Sequence, residues 1–128
     1  MSEIKVLIVD DEIEFASALS ERLELRGFKA HALHSGLEAL ARLDDLDPDI
    51  MVLDLKMPDM NGLEVLYEVK AKKPAIEVIM LTGHGSTTSG IVGMDHGAFD
   101  YMMKPVDIGE LVTKIKLAFE KSGRKADG

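Results

Sequence analysis

Short apolar runs alternate with helical patterns five times along the chain. The runs end in glycine, proline or polar residues, as the strands of a sheet commonly do. Between them, apolar residues recur every three or four positions, which is typical of a helix with one buried face. This alternation predicts βα units packed around a parallel sheet, with strands over residues 4–9, 28–32, 50–54, 76–81 and 98–103.

The burial expected for each strand determines the predicted order of the sheet. The first, third and fourth runs are almost continuously apolar, as in strands covered on both faces, whereas the second alternates apolar and polar residues. We therefore expect the second and fifth strands at the edges. Together with right-handed crossovers, this arrangement favours the order 2-1-3-4-5 in a doubly wound (βα)5 fold, a three-layer α/β sandwich.

The predicted helices differ in how clearly their starts are marked. A polar residue followed three positions later by glutamate, a capping pair, begins four of them, at Asp11, Ser35, Asn61 and Asp107. The fifth, predicted over residues 86–96, lacks such a pair and contains Gly90 and Gly93, each costing about 1 kcal/mol against alanine. We expect it to be the weakest helix. The positions predicted to face inward are Phe15, Leu19, Leu23, Leu37, Leu40, Ala41, Leu43, Leu63, Leu66, Tyr67, Ile108, Leu111, Val112, Ile115 and Phe119.

Carboxylates, a hydroxyl and an ammonium are expected at one rim of this sheet. Asp10 and Asp11 follow the first strand, and Asp54 stands where the third strand ends. Thr82 ends the fourth strand and Lys104 the fifth. Open parallel sheets bind ligands beyond the carboxyl ends of their strands, at the switch point between the first and third strands in this order. An aspartate that merely ends a strand is usually structural, but this convergence makes Asp54 a candidate functional residue.

Composition limits the class of protein and its partners. The 128 residues, 46% hydrophobic and 30% charged, suit one domain over residues 1–121, followed by a small polar tail over 122–128 that we expect to be disordered. The absence of cysteine excludes disulfides and thiolate metal sites. A net charge of −8 disfavours direct binding to nucleic acid or anionic membranes and favours cations and basic partners. With no long apolar segment or signal peptide, a cytoplasmic protein is expected.

The strand-end residues match a known protein family. The sequence over residues 4–121 resembles the receiver domains of two-component response regulators, the chemotaxis-type receivers with a flavodoxin-like fold. The resemblance is specific, because it includes both the polar residues at the strand ends and several residues of the loops that follow. The matching positions are Asp10-Asp11, Asp54, Met57-Pro58, Gly62, Thr82, Gly97-Ala98, Tyr101 and Lys104-Pro105.

The resemblance implies a phosphorylation site. Asp54 would accept a phosphoryl group from the phosphohistidine of a sensor histidine kinase or phosphotransfer protein. Mg²⁺ would bind Asp11, Asp54 and the backbone carbonyl of Lys56 directly, and Asp10 through water, since Mg²⁺ favours oxygen ligands and retains several waters. Lys104 would contact a phosphoryl oxygen, and the Thr82 hydroxyl would do so too. The domain would act as a switch that assists its own phosphorylation and dephosphorylation, rather than as an enzyme with a separate substrate.

The resemblance also implies how such a signal would be read. Thr82 would shift towards the phosphoryl group and Tyr101 would rotate inward. These movements would change the surface of the fourth helix, fifth strand and fifth helix, which an output domain, a partner protein or a second copy would recognise. Lys56 and His84 would flank the path of the hydrolytic water: Lys56 is expected to shield the phosphoryl group, and His84 to make its decay depend on pH.

Two other functions remain open from the residues. One is an interaction module that keeps the receiver fold but is never phosphorylated, which the complete polar set disfavours. The other is a flavodoxin-like cofactor binder, which would need a Ser/Thr/Gly-rich phosphate loop where this chain carries acids after its first strand. Apart from His84, the histidines are predicted at surface or edge positions. The lysines at 70, 72 and 73 are expected to form a solvated helix end.

Overall fold

A computed structural model describes residues 3–83 and 93–122 of the chain. Its strands are β1 (Lys5–Val9), β2 (Lys29–Leu33), β3 (Ile50–Asp54), β4 (Glu77–Thr82) and β5 (Asp100–Met103). Its helices are α1 (Ile13–Leu25), α2 (Gly36–Ala41), α3 (Leu43–Leu46), α4 (Gly62–Lys72) and α5 (Ile108–Ser122). Residues 93–95 are also helical.

The five strands form one parallel sheet in the order β2-β1-β3-β4-β5, which confirms the predicted topology. Every residue of β3 and β4 is buried, and so is β1 after Lys5. Strand β2 instead alternates exposed and partly buried residues until Leu33, as expected for an edge strand. In this register Asp54 pairs with Leu81, so Thr82 lies one residue further along the same rim.

Helices cover both faces of the sheet and give the predicted three layers. On one face, α1 and α5 pack on the sheet through Leu19, Leu23, Leu111, Ile115 and Phe119. On the other face lie α2, α3 and α4, whose buried residues include Ala39, Leu43, Val65, Leu66 and Val69. Alternate residues of each central strand point to opposite faces, so a continuous apolar run serves both layers.

The second predicted helix is in fact two short ones. It breaks at Arg42, between α2 and α3, and ends where Asp47 adopts the left-handed φ of 42°. The prediction that Leu37 and Ala41 face inward is wrong, because Leu37 is 61% exposed and Ala41 is also exposed. Ala39 fills the interior of this six-residue helix instead. The same correction applies to Tyr67 in α4, which is 63% exposed.

The predicted capping pairs are formed to different extents. At α4, the Asn61 side chain accepts from the Glu64 N–H at 3.0 Å, and the Glu64 carboxylate accepts from the Asn61 N–H at 3.3 Å. At α2, Ser35 Oγ accepts from the Glu38 N–H, but the Glu38 carboxylate accepts from His34 rather than from Ser35. The reciprocal capping box is therefore complete at the start of α4 but only half formed at the start of α2.

The prediction that Asp11 and Glu14 cap α1 is wrong. The N-cap is Glu12 rather than Asp11, and its own side chain makes no capping hydrogen bond. The Asp10 carboxylate instead accepts from the N–H of the N-cap residue Glu12 at 2.9 Å. The start of α1 is thus tied directly to an acid of the predicted functional rim.

The last helix begins beside Asp107, whose Oδ1 accepts from the Gly109 N–H at 3.2 Å. It includes Ser122, the first residue of the predicted tail, whose hydroxyl donates to the Phe119 carbonyl oxygen at 2.7 Å. Residues 123–128 lie outside the described part of the chain. The predicted boundary between the domain and its tail therefore stays a prediction.

Most of the helix predicted over residues 86–96 also lies outside the described residues, so its predicted weakness stays a prediction. Gly93, however, is described and buried. A Cβ at this position would collide with the Met80 sulfur of β4. The glycine therefore lets residues 93–95 approach the sheet closely, a packing role that helix propensity alone does not reveal.

Candidate functional site

The polar side chains predicted to converge lie together at the carboxyl rim of the sheet. Asp54 is the last residue of β3 and only 5% exposed, Asp10 directly follows β1 and is fully buried, and Asp11 is exposed. One carboxylate oxygen from each lies within 4.8 Å of the others. Within the described residues, these three aspartates form the cluster whose spacing could hold a metal ion.

Asp10 is fixed from several directions. Its N–H donates to the Leu33 carbonyl oxygen at 3.1 Å, and its Oδ1 accepts from the start of α1. Its own carbonyl oxygen lies 3.1 Å from His34 Nδ1. His34 is partly buried and directly follows the edge strand β2, in keeping with the surface or edge position predicted for it.

The ammonium of Lys104 lies among three carboxylates. Its Nζ is 2.6 Å from Glu12 Oε1, 2.9 Å from Asp10 Oδ2 and 3.6 Å from Asp54 Oδ1. It also sits 4.6 Å from the centre of the Phe15 ring, within reach of a cation–π interaction. The sequence pattern predicts Lys104 at this rim but does not predict Glu12 or Phe15 as its neighbours.

Thr82 links β4 to the Lys104 backbone. Its carbonyl oxygen accepts from the Lys104 N–H at 2.9 Å, and its buried hydroxyl donates to the Met102 carbonyl oxygen at 3.4 Å. Beyond it, a pocket of about 290 Å³ opens between the strand ends. The residues that line this pocket are Asp11, Glu12, Asp54, Lys56, Gly83 and Lys104.

Burial and the neighbouring acids raise the pKa of Asp54 to about 6. Burial is the largest cause, and repulsion from Asp10 and, more weakly, Asp11 adds to it. Lys104 and a hydrogen bond from the Lys56 backbone oppose the rise. Asp54 is therefore ionised at neutral pH but carries a charge that a bound cation would stabilise.

The pKa of Lys104 shifts in the direction that its carboxylate neighbours require. Burial by itself would lower it, but hydrogen bonds to Glu12 and Asp10, with further attraction from Asp10 and Asp54, outweigh burial and raise the pKa. The lysine therefore stays a cation throughout the physiological range. One ammonium among this many acids still leaves the pocket with an excess of negative charge.

The loop after β3 is held against two helices. The Gly62 N–H donates to the Leu55 carbonyl oxygen at 2.9 Å, and a Cβ at Gly62 would lie 2.6 Å from the Asp54 carbonyl oxygen. Only glycine lets α4 start this close to the strand end. On the other side, the Asp59 carboxylate accepts from the Leu37 N–H of α2 at 3.0 Å. The sequence offered no signal for this second tie.

Of the remaining predicted site residues, the structure describes Lys56 and Tyr101 but not His84. Lys56 is exposed and lines the pocket, and its backbone lies beside the Asp54 carboxylate. Tyr101 is on β5, partly buried against the apolar cluster under α2–α4. His84 lies outside the described residues.

The donor set suits Mg²⁺, because clustered carboxylate oxygens are the hard ligands that this ion prefers. Asp11, Asp54 and Asp10 supply them within 4.8 Å of one another. The excess negative charge and the raised pKa of Asp54 indicate the same preference for a cation.

Comparison with known proteins identifies the family. The model of the response regulator receiver domain matches residues 6–116. This chain belongs to that family. Receiver domains are the signal-accepting modules of two-component systems, and a flavodoxin-like fold with the 2-1-3-4-5 order is the fold found here.

Related receiver domains occur in transcription regulators. The chain is 36% identical over 121 residues to the transcriptional regulatory protein TrcR of Mycobacterium tuberculosis, covering 94% of this chain and 47% of TrcR. It is 41% identical over 118 residues to CpxR of Klebsiella pneumoniae, covering 92% and 50%. The chain thus spans about half the length of these relatives.

Solved receiver structures share the whole fold. A CheY-like receiver domain protein from Methanospirillum hungatei superposes with a TM-score of 0.89 at 30% identity, covering 95% of this chain and 98% of that one. A receiver domain protein from Clostridium thermocellum superposes with a TM-score of 0.88 at 33% identity, covering 93% of this chain and 96% of that one.

The helices of the described residues were also compared with the length and hydropathy that a membrane span requires. None of them meets both requirements.

Proposed function

We propose that this receiver domain accepts a phosphoryl group on Asp54 from a sensor histidine kinase or phosphotransfer protein, in a reaction that requires Mg²⁺. The observation that carries the proposal is the position of Asp54. Its carboxylate is nearly buried at a strand end, clustered with Asp10 and Asp11 and 3.6 Å from Lys104. The pocket beside it is open enough to admit a phosphoryl group.

The chemistry follows from the charges in the pocket. Ionised Asp54 attacks phosphorus, the bond from phosphorus to the donor's imidazole nitrogen breaks, and the nitrogen leaves with the bonding electrons. Bound Mg²⁺, held by Asp11, Asp54 and the Lys56 carbonyl directly and by Asp10 through water, would neutralise charge on the transferred oxygens. Lys104 neutralises another of these oxygens, and the Thr82 hydroxyl donates to one. The domain thereby assists its own phosphorylation and hydrolysis without acting on a separate substrate.

The switch would run through Thr82 and Tyr101. Thr82 is the residue of β4 nearest the pocket, and its long hydrogen bond to Met102 is one that a phosphoryl oxygen could replace. Movement of Thr82 leaves room for Tyr101, on the adjacent strand, to turn inward. This change would alter a groove of about 440 Å³ along β5 and the start of α5, lined by Asp100, Tyr101, Met102, Met103, Pro105, Asp107 and Glu110.

The proposed partners follow from this surface and from the relatives. An output domain or separate protein, or a second copy on phosphorylation, would bind the face formed by the helix before β5, β5 and α5. The matched relatives are transcription regulators about twice as long as the matched region. We therefore propose that the output function is carried by an output domain or partner protein outside residues 1–121. The receiver itself would not contact nucleic acid or membranes, and would act in the cytoplasm.

The lifetime of the phosphorylated state would depend on Lys56 and His84. The side chain of Lys56 is exposed at the pocket mouth, where its ammonium can cover the phosphoryl group and exclude water. We propose that His84 makes the decay rate depend on pH near neutrality, and that His84→Ala removes this dependence.

Intact-mass measurement with acetyl phosphate tests the proposed function. We expect one added phosphoryl group in the presence of Mg²⁺ and none with a chelator. Asp54→Asn should remove the modification, whereas Asp45→Asn, exposed in α3, should leave it unchanged. Lys104→Ala should retain some modification but lose the switch. A parent that gains no phosphate from acetyl phosphate or from a phosphorylated kinase would instead favour an unphosphorylated interaction module.

A further inference from the structure

The three carboxylates around Lys104 are not equivalent partners. The ammonium is within hydrogen-bonding distance of Glu12 and Asp10, at 2.6 and 2.9 Å, but 3.6 Å from Asp54 is too long for a hydrogen bond. The shortest of these contacts is made by Glu12, which is not among the residues that carry the family resemblance. The resting position of Lys104 is thus displaced towards the start of α1.

The start of α1 is built to hold an ammonium in that position. The N-cap residue Glu12 presents its carboxylate, and Phe15, three residues later, presents its ring to the same ammonium at 4.6 Å. Residues three apart on a helix lie on the same side, so the two act together. The Asp10 carboxylate also accepts from the Glu12 N–H, which couples the helix start to the buried acid.

Loss of the Glu12 charge would change which acid Lys104 meets. The remaining acids within 4 Å of its Nζ are Asp10, through an Oδ2 that is already 2.9 Å away while Oδ1 accepts from the N–H of residue 12, and Asp54. A shift of less than 1 Å would bring the ammonium into hydrogen-bonding contact with Asp54 Oδ1. That oxygen would then be neutralised by a lysine rather than being free for a metal ion or a phosphorus atom.

We propose that Glu12, supported by the Phe15 ring, is a positioning residue that holds Lys104 away from Asp54 in the unmodified receiver. This arrangement keeps the Asp54 carboxylate available to Mg²⁺ and to the phosphodonor, and leaves Lys104 close enough to reach a phosphoryl oxygen afterwards. The inference rests on the proposed function, because it assigns Glu12 a role in preparing the same site.

A double-mutant cycle on Mg²⁺ affinity tests the proposal, because only an indirect role of Glu12 depends on Lys104. The variants are Glu12→Gln, Lys104→Met and their combination, with Glu14→Gln as a control that removes an exposed charge from the same helix turn. Mg²⁺ dissociation constants are measured by titration calorimetry at a temperature where melting curves show every variant folded. The rate of phosphate gain from acetyl phosphate at saturating Mg²⁺ provides a second readout.

We expect Glu12→Gln to weaken Mg²⁺ binding about fivefold when Lys104 is present, the size of a favourable ion pair. In the Lys104→Met background its effect should fall to that of Glu14→Gln. An equal effect of Glu12→Gln in both backgrounds would mean that Glu12 only attracts the cation by its charge, and would overturn the proposal. So would an unchanged affinity in Glu12→Gln.

The same measurements separate the two proposals. If the parent binds Mg²⁺ and gains phosphate on Asp54 while Glu12→Gln behaves like the parent, the positioning role fails and the proposed function stands. If the parent neither binds Mg²⁺ nor gains phosphate, both are wrong. If Glu12→Gln slows phosphate gain in the parent background but not in the Lys104→Met background, the positioning role is confirmed at the chemical step as well.

Discussion

Two lysines lie beside buried carboxylates at opposite ends of the sheet, and their surroundings differ. At the carboxyl rim, Lys104 lies among the acids of the proposed phosphoacceptor pocket. At the amino rim, Lys70 of α4 donates to the carbonyl oxygens of Pro74 and Ile76, both at 2.8 Å, while Glu77 Oε1 is 3.9 Å away. The first lysine is surrounded by charges, and the second mainly by neutral backbone oxygens.

This difference shows in the direction of the two pKa shifts. Burial lowers the pKa of Lys70, and attraction from Glu77 offsets only part of that effect. The pKa of Lys104 is raised despite its burial. Lys70 therefore closes the connection between α4 and β4, a structural role, whereas the carboxyl rim retains unneutralised acids that can recruit a cation. The expectation that Lys70 belongs to a solvated helix end was wrong.

The largest expected effect tests whether the two ends respond differently to a metal. Lys70→Met and Lys104→Met should each destabilise the metal-free protein by about 3–4 kcal/mol, because each leaves a buried carboxylate without its cation. Millimolar Mg²⁺ should restore most of the loss in Lys104→Met and none in Lys70→Met, since among the described residues the acidic cluster that could bind the ion lies at the carboxyl rim. Urea unfolding with and without Mg²⁺ measures both.

A matched control for this pair is Lys72→Met, because Lys72 is exposed on the same helix end as Lys70. Its free energy of unfolding should stay within about 0.5 kcal/mol of the parent. Equal rescue of Lys70→Met and Lys104→Met by Mg²⁺ would contradict the distinction drawn between the two ends.

The second prediction concerns the cost of the acid cluster without metal. The folded-state pKa of Asp54, about 6, lies above the ordinary value of 3.8, so the folded protein binds more protons between these values. Stability from this group is present below pH 3.8 and is lost as the pH rises through 6. Asp54→Asn should therefore be more stable than the parent by roughly 2–3 kcal/mol at pH 7.5 in a chelator, and this advantage should disappear near pH 4.

Chemical unfolding of both proteins across this pH range checks the second prediction. Glu77→Gln, at the other end of the sheet, is a useful comparison because Glu77 is buried beside Lys70 rather than among other acids. It should not reproduce the stabilisation at pH 7.5. A parent and an Asp54→Asn variant that stay equally stable from pH 4 to pH 7.5 would rule out a raised pKa of Asp54 in the metal-free protein.

The third prediction is a smaller effect of Mg²⁺ on the native protein. At ten times its dissociation constant, the ion should stabilise the folded state by about 1.4 kcal/mol, a rise of roughly 4 °C in melting temperature. Asp11→Ala should abolish the rise, because Asp11 is the exposed acid of the cluster. Asp45→Ala, in α3, should retain it. Identical melting curves with and without the ion would exclude the assigned metal site.

The smallest expected effect is on the lifetime of the phosphorylated state. Lys56→Asn should accelerate loss of the phosphoryl group about threefold, since the shorter side chain covers less of the pocket mouth and can orient water. Phosphorylated parent and variant are followed by intact mass after the donor is removed. The exposed Lys72→Met again serves as a control that should decay like the parent. A rate that stays the same or falls in Lys56→Asn would disprove shielding by Lys56.

Much of the fold could be predicted because the pattern of apolar residues in each strand indicates how far that strand is buried. The almost continuously apolar β3 and β4 and the alternating β2, with right-handed crossovers, were enough to derive the strand order. The helix surfaces were harder to predict: the predicted second helix breaks at Arg42, and Leu37 in its first part is exposed. Such a break depends on tertiary packing rather than on local propensity.

The site was predictable to the extent that strand ends define it. Asp10, Asp11, Asp54 and Lys104 come together because parallel strands end at one rim. Contacts made by side chains of helices and loops carried no comparable signal. The ammonium–Glu12 contact joins residues 92 positions apart, which the fold brings together at the carboxyl rim, where α1 starts and β5 ends.

The described contacts hold the two sides of the proposed phosphoacceptor pocket unequally. The loop after β3 is anchored to α4 by the contact between Gly62 and Leu55, and to α2 by Asp59. Across the pocket, the Thr82 side chain is held by one hydrogen bond of 3.4 Å to Met102. Under the proposed function, the force exerted by an added phosphoryl group would be resisted on the first side and would displace the second. Under that function the signal would therefore travel towards β4 and β5, the side of the resting pocket with fewer such contacts.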